Sequence, residues 1–293
     1  MPVLIAPPSA RAVAAPALEE AFSLARAAAR GAADPSSVLR DDSASAEAKL
    51  DALDALHDRI PNQKPPAQAA SLDAIAAAAA DARQPPEVRA RALTLLGYAV
   101  PPVVDEAART RAFAVLLAAL PDPSLRLFVL RGLGPASHGL PRPLEPAFLN
   151  ALLGALDGPV AGEERQTAFL TLYAFVSSNE DLAKRAPALA ALIDARVLAP
   201  IEADPAAFVR DPRATPAARE LAVAAVWIAA RQRQAAGAPA AAARVKALLP
   251  RLIAAETDAG ARAWYATYRD AAPPAPARRD KTTSLPPLGP DEP

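Results

Sequence analysis

A basic residue recurs along this chain at near-regular intervals, and the same apolar pattern follows it each time. With Arg89 of PPEVRARALTLLGYA as position zero, similar segments surround Lys49, Arg126, Arg165, Arg219 and Arg262, at intervals of 40, 37, 39, 54 and 43 residues. Three places after the basic residue stand Ala52, Ala92, Val129, Ala168 and Ala222, all small; four places after it stand Leu53, Leu93, Leu130, Phe169 and Val223. Seven places after it stand Leu56, Leu96, Leu133, Leu172 and Val226. Offsets of three, four and seven share one face of an α-helix, so each segment predicts an amphipathic helix with the same stripe. A lone helix pair cannot bury such a stripe, whereas stacked neighbours make one continuous core.

Composition supports helices throughout. The chain of 293 residues is 52% hydrophobic but only 4% aromatic, its apolar share coming largely from alanine and leucine. These are strong helix formers, and the scarcity of β-branched and aromatic residues disfavours a β-rich core. First helices are expected near residues 16–31, 68–81, 102–120, 144–156, 181–194 and 239–256. Their partners are expected near 44–59, 86–99, 123–134, 162–177, 216–232 and 259–270. Asp122-Pro123 and Thr215-Pro216 each place a capping oxygen before a proline at the first helical position. Pro85, Pro101, Pro121 and Pro143 fall between helices as punctuation. Residues 32–43 fit no clean turn. The expected organisation is an N-terminal extension (1–15), a helical array (16–272) and a proline-rich, polar tail (273–293), extended or disordered. The tail reads either as a docking motif for another protein or as a solvated end.

Val88-Arg89 followed by Ala92, Leu96 and Gly97 resembles the second-helix signature of the HEAT repeat, and LRLFVLRGLG from Leu125 to Gly134 is similar. The resemblance spans residues 16–272. It implies an all-α fold, a right-handed α-solenoid of about six helix pairs, armadillo-like in architecture, with a concave binding face. With helix axes about 8–10 Å apart, six pairs give an arc on the order of 50–60 Å. The acidic turn residue usual in the family is irregular: Asp122 is near its place, while Asp157 and Asp211 are offset. In the sixth copy Tyr265, Ala266 and Arg269 replace the stripe, which reads as a terminal cap.

The position-zero residues lie near the centre of the stripe, so their aliphatic stems must run between layers to polar groups at the ends. They form either an internal hydrogen-bonding ladder or a row of cations lining an anion site. Lys+Arg and Asp+Glu both number 32, a balance that gives no support for a nucleic-acid partner, since phosphate contacts require a basic excess. The absence of cysteine removes thiol nucleophiles, disulfides, zinc–thiolate sites and iron–sulfur clusters. No cofactor is expected. No charge-free apolar run reaches the roughly 18 residues of a membrane span. The start lacks a basic region ahead of an apolar one, so no secretory signal is expected and a cytoplasmic location follows.

Chemistry-bearing residues are few. The two histidines, His57 and His138, sit in different copies. His57 is flanked by Asp54 and Asp58, and His138 lies in the GLGPASHGLPRP loop beside Ser137. A glycine-rich phosphate loop is absent. Among HEAT-like enzymes, the iron-dependent hydroxylases of a lysine-derived residue hold their metal with His-Glu pairs, and this chain has none. The HEAT-like alkylpurine DNA glycosylases resemble cationic clamps, whereas this chain is neutral.

Offsets of two, five and nine select the face opposite the stripe, which tends to line the concave surface of a solenoid. The first copy offers Asp51, Asp54 and Asp58; the second Arg91, Thr94 and Tyr98; the third Phe128 and Arg131. The fourth and fifth turn apolar with Leu170, Leu221 and Ile228, and the sixth brings Trp264. Either these apolar residues form a groove for a partner helix or peptide, with Arg91 and Arg131 fixing its acidic end, or the extra segment RVLAPIEADPAAFVRDPRA folds over them. The leading expectation is a non-catalytic scaffold or adaptor for a protein or peptide. An enzyme or regulatory subunit using the loop around His138, and a self-assembling structural protein, are the alternatives. The sequence fixes no oligomeric state.

Overall fold

A computed structural model describes residues 34–270, and every regular element within that span is helical. The expected extension (1–15), the first expected helix (16–31) and the tail (273–293) lie outside the described residues. In chain order the helices are α1 (Pro35–Arg40), α2 (Ala46–Arg59), α3 (Pro65–Ala80), α4 (Pro86–Ala99), α5 (Glu106–Ala119) and α6 (Arg126–Ala136). Then follow α7 (Glu145–Asp157), α8 (Gly162–Ser178), α9 (Leu182–Arg185), α10 (Pro187–Ile193), a π-helical turn (Asp194–Leu198) and α11 (Ala199–Ala203). The chain continues through α12 (Pro205–Arg210), α13 (Pro216–Ala235), α14 (Ala240–Ala255) and α15 (Ala259–Asp270). No described helix is long and apolar enough to cross a membrane.

The stripe read from the sequence is the core. All fifteen residues at offsets three, four and seven in the first five copies are buried, none more than 6% exposed. A fully buried leucine contributes about 2 kcal/mol relative to an exposed one, so this seam dominates the interior. The helices that carry it pack in succession: α2 on α4, α4 on α6, α6 on α8, α8 on α13 and α13 on α15. The other helices form a second layer, in which α1 packs on α3 and α3 on α5, while Phe113 of α5 meets Phe148 of α7 edge to face at 6.3 Å. In the sixth copy Tyr265 is fully buried and Arg269 exposed, a core plug with a polar outer turn.

Local chemistry sets most boundaries. Thr215 Oγ1 accepts from the Ala218 amide at 3.1 Å with Pro216 in the first turn of α13, as the sequence predicts. Asp122 acts differently. It accepts from the amide and hydroxyl of Ser124, closing a turn, and α6 begins only at Arg126. Asp41, Asp81 and Asp211 close the same kind of turn, each accepting from the amide two residues on at 2.8–3.0 Å. Their spacing carried a signal that the helix-face reading missed: Asp41, Asp81 and Asp211 each stand eight residues before Lys49, Arg89 or Arg219.

The single first helix expected at 181–194 is instead a broken run from α9 to α12. Pro187, Pro200 and Pro205 each lie in the first turn of a short helix, and Ala186 before Pro187 leaves the helical region at φ −138°, ψ 63°. A proline disfavours helical geometry in the residue before it, which accounts for the breaks at Ala186 and Asp204. Ala199 before Pro200 stays helical, and the chain passes there through the π-helical turn. The extra segment after residue 195 extends this layer. Its Val197, Leu198, Ile201 and Val209 are buried, the π-helical turn packing on α13 and α12 on α14.

The position-zero cations run to the carboxyl ends of the neighbouring layer. Arg89 donates to the Ala79 carbonyl at 3.4 Å, Arg126 to Leu120 at 3.3 Å and Pro121 at 3.1 Å, and Arg165 to Leu156 at 2.8 Å. Lys49 reaches the α1 end indirectly, through Gln84, whose amide donates to the Leu39 carbonyl at 2.9 Å. Helix carboxyl ends leave carbonyls without intrahelical partners and carry partial negative charge, so a cation there stabilises the end. Arg219 goes further and grips Glu256, the residue ending α14, with two bonds of 2.9 and 2.7 Å in the interior. Of the two readings, the geometry is that of the internal ladder.

Candidate partner-binding face

Because the stripe faces the second layer, offsets two, five and nine of α2, α4, α6, α8 and α13 look away from it. Arg91 is half-buried, and both its Nε and Nη2 donate to Asp54 Oδ1 on α2, at 3.0 and 2.8 Å. Arg131 pairs with Glu163 of α8 and sits 5.9 Å from the centre of its own neighbour Phe128. These two arginines therefore bridge successive helices. Thr94 is buried, its hydroxyl donating to the Ala90 carbonyl at 3.2 Å, while Tyr98 is half-buried.

The apolar end of the face is open. Leu170 is 49% exposed in the middle of α8, and Phe128, Leu221 and Ile228 on the flanking helices are half-buried against the core. Along the same end lie Tyr173 of α8 and Trp264 and Tyr268 of α15, also half-buried. Tyr173 went unnoticed in the sequence because its register position, offset eight, holds Gly97 and Gly134 in earlier copies and therefore showed no pattern. Burial pushes the Tyr268 hydroxyl above the usual phenol range, and Tyr173 adds to the shift. At the other end Glu47, Asp51 and Asp58 are exposed on α2. The face thus runs from acidic to apolar and aromatic.

The histidines do not assemble a catalytic group here. His57 Nδ1 lies 3.4 Å from Asp58 on the α2 surface. The Ser137 hydroxyl, adjacent to His138 in sequence, donates instead to the Gly134 carbonyl at 2.6 Å. His138 is exposed and meets Ser178 Oγ at 2.8 Å, a contact that the sequence did not suggest. The Ser178 hydroxyl also lies 2.7 Å from the Ala174 carbonyl, which only a donor can satisfy, so its oxygen accepts from His138 Nδ1–H. A nucleophilic serine needs the opposite polarity, donating its proton to the imidazole. Among the described residues there is no group of three or more His, Asp or Glu placed to hold a metal. No family model, curated protein or solved structure matches this chain.

Proposed function

We propose that the chain is a non-catalytic scaffold or adaptor, a HEAT-like solenoid of about six helix pairs that holds a protein or peptide on the face formed by its second helices. The observation that carries this reading is the exposure of Leu170, 49% open in mid-helix and flanked by half-buried Phe128, Leu221 and Ile228. Large aliphatic and aromatic side chains gathered on one surface mark interaction sites in otherwise polar exteriors.

Arg91 and Arg131 are engaged by Asp54 and Glu163, so recognition of charge falls to the carboxylates of α2. The partner is then an amphipathic segment with an apolar anchor over Leu170 and a basic end toward Asp51 and Asp58. Binding rests on burial of the anchor and on charge complementarity, without a covalent step.

The test immobilises wild-type chain and a Leu170→Glu/Ile228→Glu variant, then compares what each captures from native lysate. Loss of the wild-type partner by a variant with unchanged helical circular dichroism supports the reading. Identical capture by both overturns it.

A further inference from the structure

We propose that the α13–α15 end of the face takes an extended, proline-rich segment of a partner protein, with a basic residue of that segment paired to Glu220. The proposal rests on the reading of this surface as a partner-binding face and specifies the chemistry at one end of it. Trp264 and Tyr268 stand one helical turn apart on α15, their ring centroids 4.2 Å from each other at 33°, and both are half-buried. Buried Trp227 meets Tyr268 edge to face at 6.3 Å, and Tyr173 of α8 lies within electrostatic reach of the Tyr268 hydroxyl. Half-open rings held in place are the surface on which proline-rich segments dock, since such segments lose little conformational freedom on binding.

The polar tips of these rings decide between a helix and an extended segment. Among the described residues, neither the Tyr173 and Tyr268 hydroxyls nor the Trp264 indole N–H has a hydrogen-bond partner within the chain. A partner that covers the rings displaces their water and must supply acceptors, because a buried donor left without one is unfavourable. A helix has none to give along its length, since its carbonyls bond within the helix. A polyproline-type strand makes no internal hydrogen bonds and presents a carbonyl about every 3.1 Å.

Charge sets the second requirement. Leu221 and Trp264 hold the same register position, offset two, in the successive helices α13 and α15, and Glu220 directly precedes Leu221. Glu220 is half-buried and, among the described residues, in no ion pair. Burial pushes its carboxyl above the ordinary range, the charges of Asp258 and Glu256 add to the rise, and Arg219 opposes it. Those neighbours are committed elsewhere: Arg219 grips Glu256 with two bonds, and Asp258 caps α15 by accepting from the Ala261 amide at 2.8 Å. Glu220 is thus the carboxylate at this corner that a cation from outside can neutralise.

The chain has two tryptophans, and Trp227 is only 2% exposed, so a change in emission on binding reports mainly on Trp264, with Trp264→Phe as the Trp227 baseline. The full-length protein is titrated with a blocked polyproline peptide ending in arginine, and separately with a helical alanine–lysine peptide of equal length. The polyproline peptide should shift the emission to the blue and saturate, and the helical one should not. Tyr173→Phe/Tyr268→Phe keeps the rings but removes both hydroxyls and should weaken binding about tenfold. Glu220→Gln should weaken it about threefold and remove most of its salt dependence. No shift with the polyproline peptide, an equal shift with the helical one, or unchanged binding by the double phenylalanine variant overturns the proposal. So does a shift on concentrating the protein alone, which assigns the rings to a second copy. Polyproline binding together with identical lysate capture by wild type and Leu170→Glu/Ile228→Glu supports this end of the face and overturns the Leu170 anchor alone.

Discussion

The helix pairs α4–α6 and α8–α13 fill one register position with very different residues. In the first, backbones meet: a Cβ placed on Gly97 would lie 1.9 Å from the Gly132 carbonyl oxygen, and one on Gly132 would lie 2.5 Å from that of Leu93. In the second, the register position of Gly97 is taken by Tyr173 in α8 and Trp227 in α13. Trp227 is buried, and Tyr173 remains half-open. One repeat register therefore holds glycine where α4 meets α6 and an aromatic ring in α8 and α13, the Trp227 ring meeting Tyr268 of α15. The exposed Leu170 lies in α8, on the aromatic side of this contrast.

The contrast breaks most severely at Trp227. Trp227→Ala removes a fully buried indole and should cost about 4 kcal/mol, read from urea unfolding. Gly97→Ala comes next. Alanine gains about 1 kcal/mol of helix propensity, but the clash with the Gly132 backbone costs more, for a net destabilisation of about 2–3 kcal/mol. A Gly97→Ala protein as stable as wild type would show that α4 and α6 do not touch.

Acid should separate the two regions. Hydrogen bonds from Ser43 and Ser124 hold the carboxyls of Asp41 and Asp122 below their ordinary range, and Arg83 does the same for Asp81. A depressed folded value contributes stability above the unfolded value, near 3.9, and that contribution is lost as pH falls through the folded values. Arg213 likewise lowers Asp211 in the second region, but there Glu220 is raised by burial, so acid also relieves an unfavourable charge. Hydrogen exchange at pH 3 against pH 6 should therefore loosen α2–α6 more than α13–α15, and Asn at positions 81 and 122 should reduce the difference. Equal loosening would contradict the assignment. The smallest effect belongs to Gly154, exposed in α7 with no atom within 4 Å of an added Cβ. Gly154→Ala should stabilise by about 0.5–1 kcal/mol.

The core was legible because a stripe repeats wherever neighbours share a seam, and helix ends were legible where a cap meets a proline. The broken run from α9 to α12 was not, since Pro187 and Pro205 each start a new short helix and a π-helical turn precedes Pro200 inside what reads as one apolar stretch. The binding face was half legible. Leu170, Leu221 and Ile228 could be read from one helix at a time, but the engagement of Arg91 by Asp54 and of Arg131 by Glu163 joins residues 37 and 32 apart. Side-chain partners on a neighbouring copy leave no mark in a helix's own periodicity.

The central claim is the ordered succession of second helices. The chain has no cysteine, so spin labels can be placed on Asp58→Cys of α2 and Arg231→Cys of α13, both exposed sites. Four steps of about 8–10 Å separate these helices, and pulsed dipolar spectroscopy should return a distance on the order of 32–40 Å. A narrow distribution below about 25 Å, shorter than the four helix-to-helix steps, would contradict the stack.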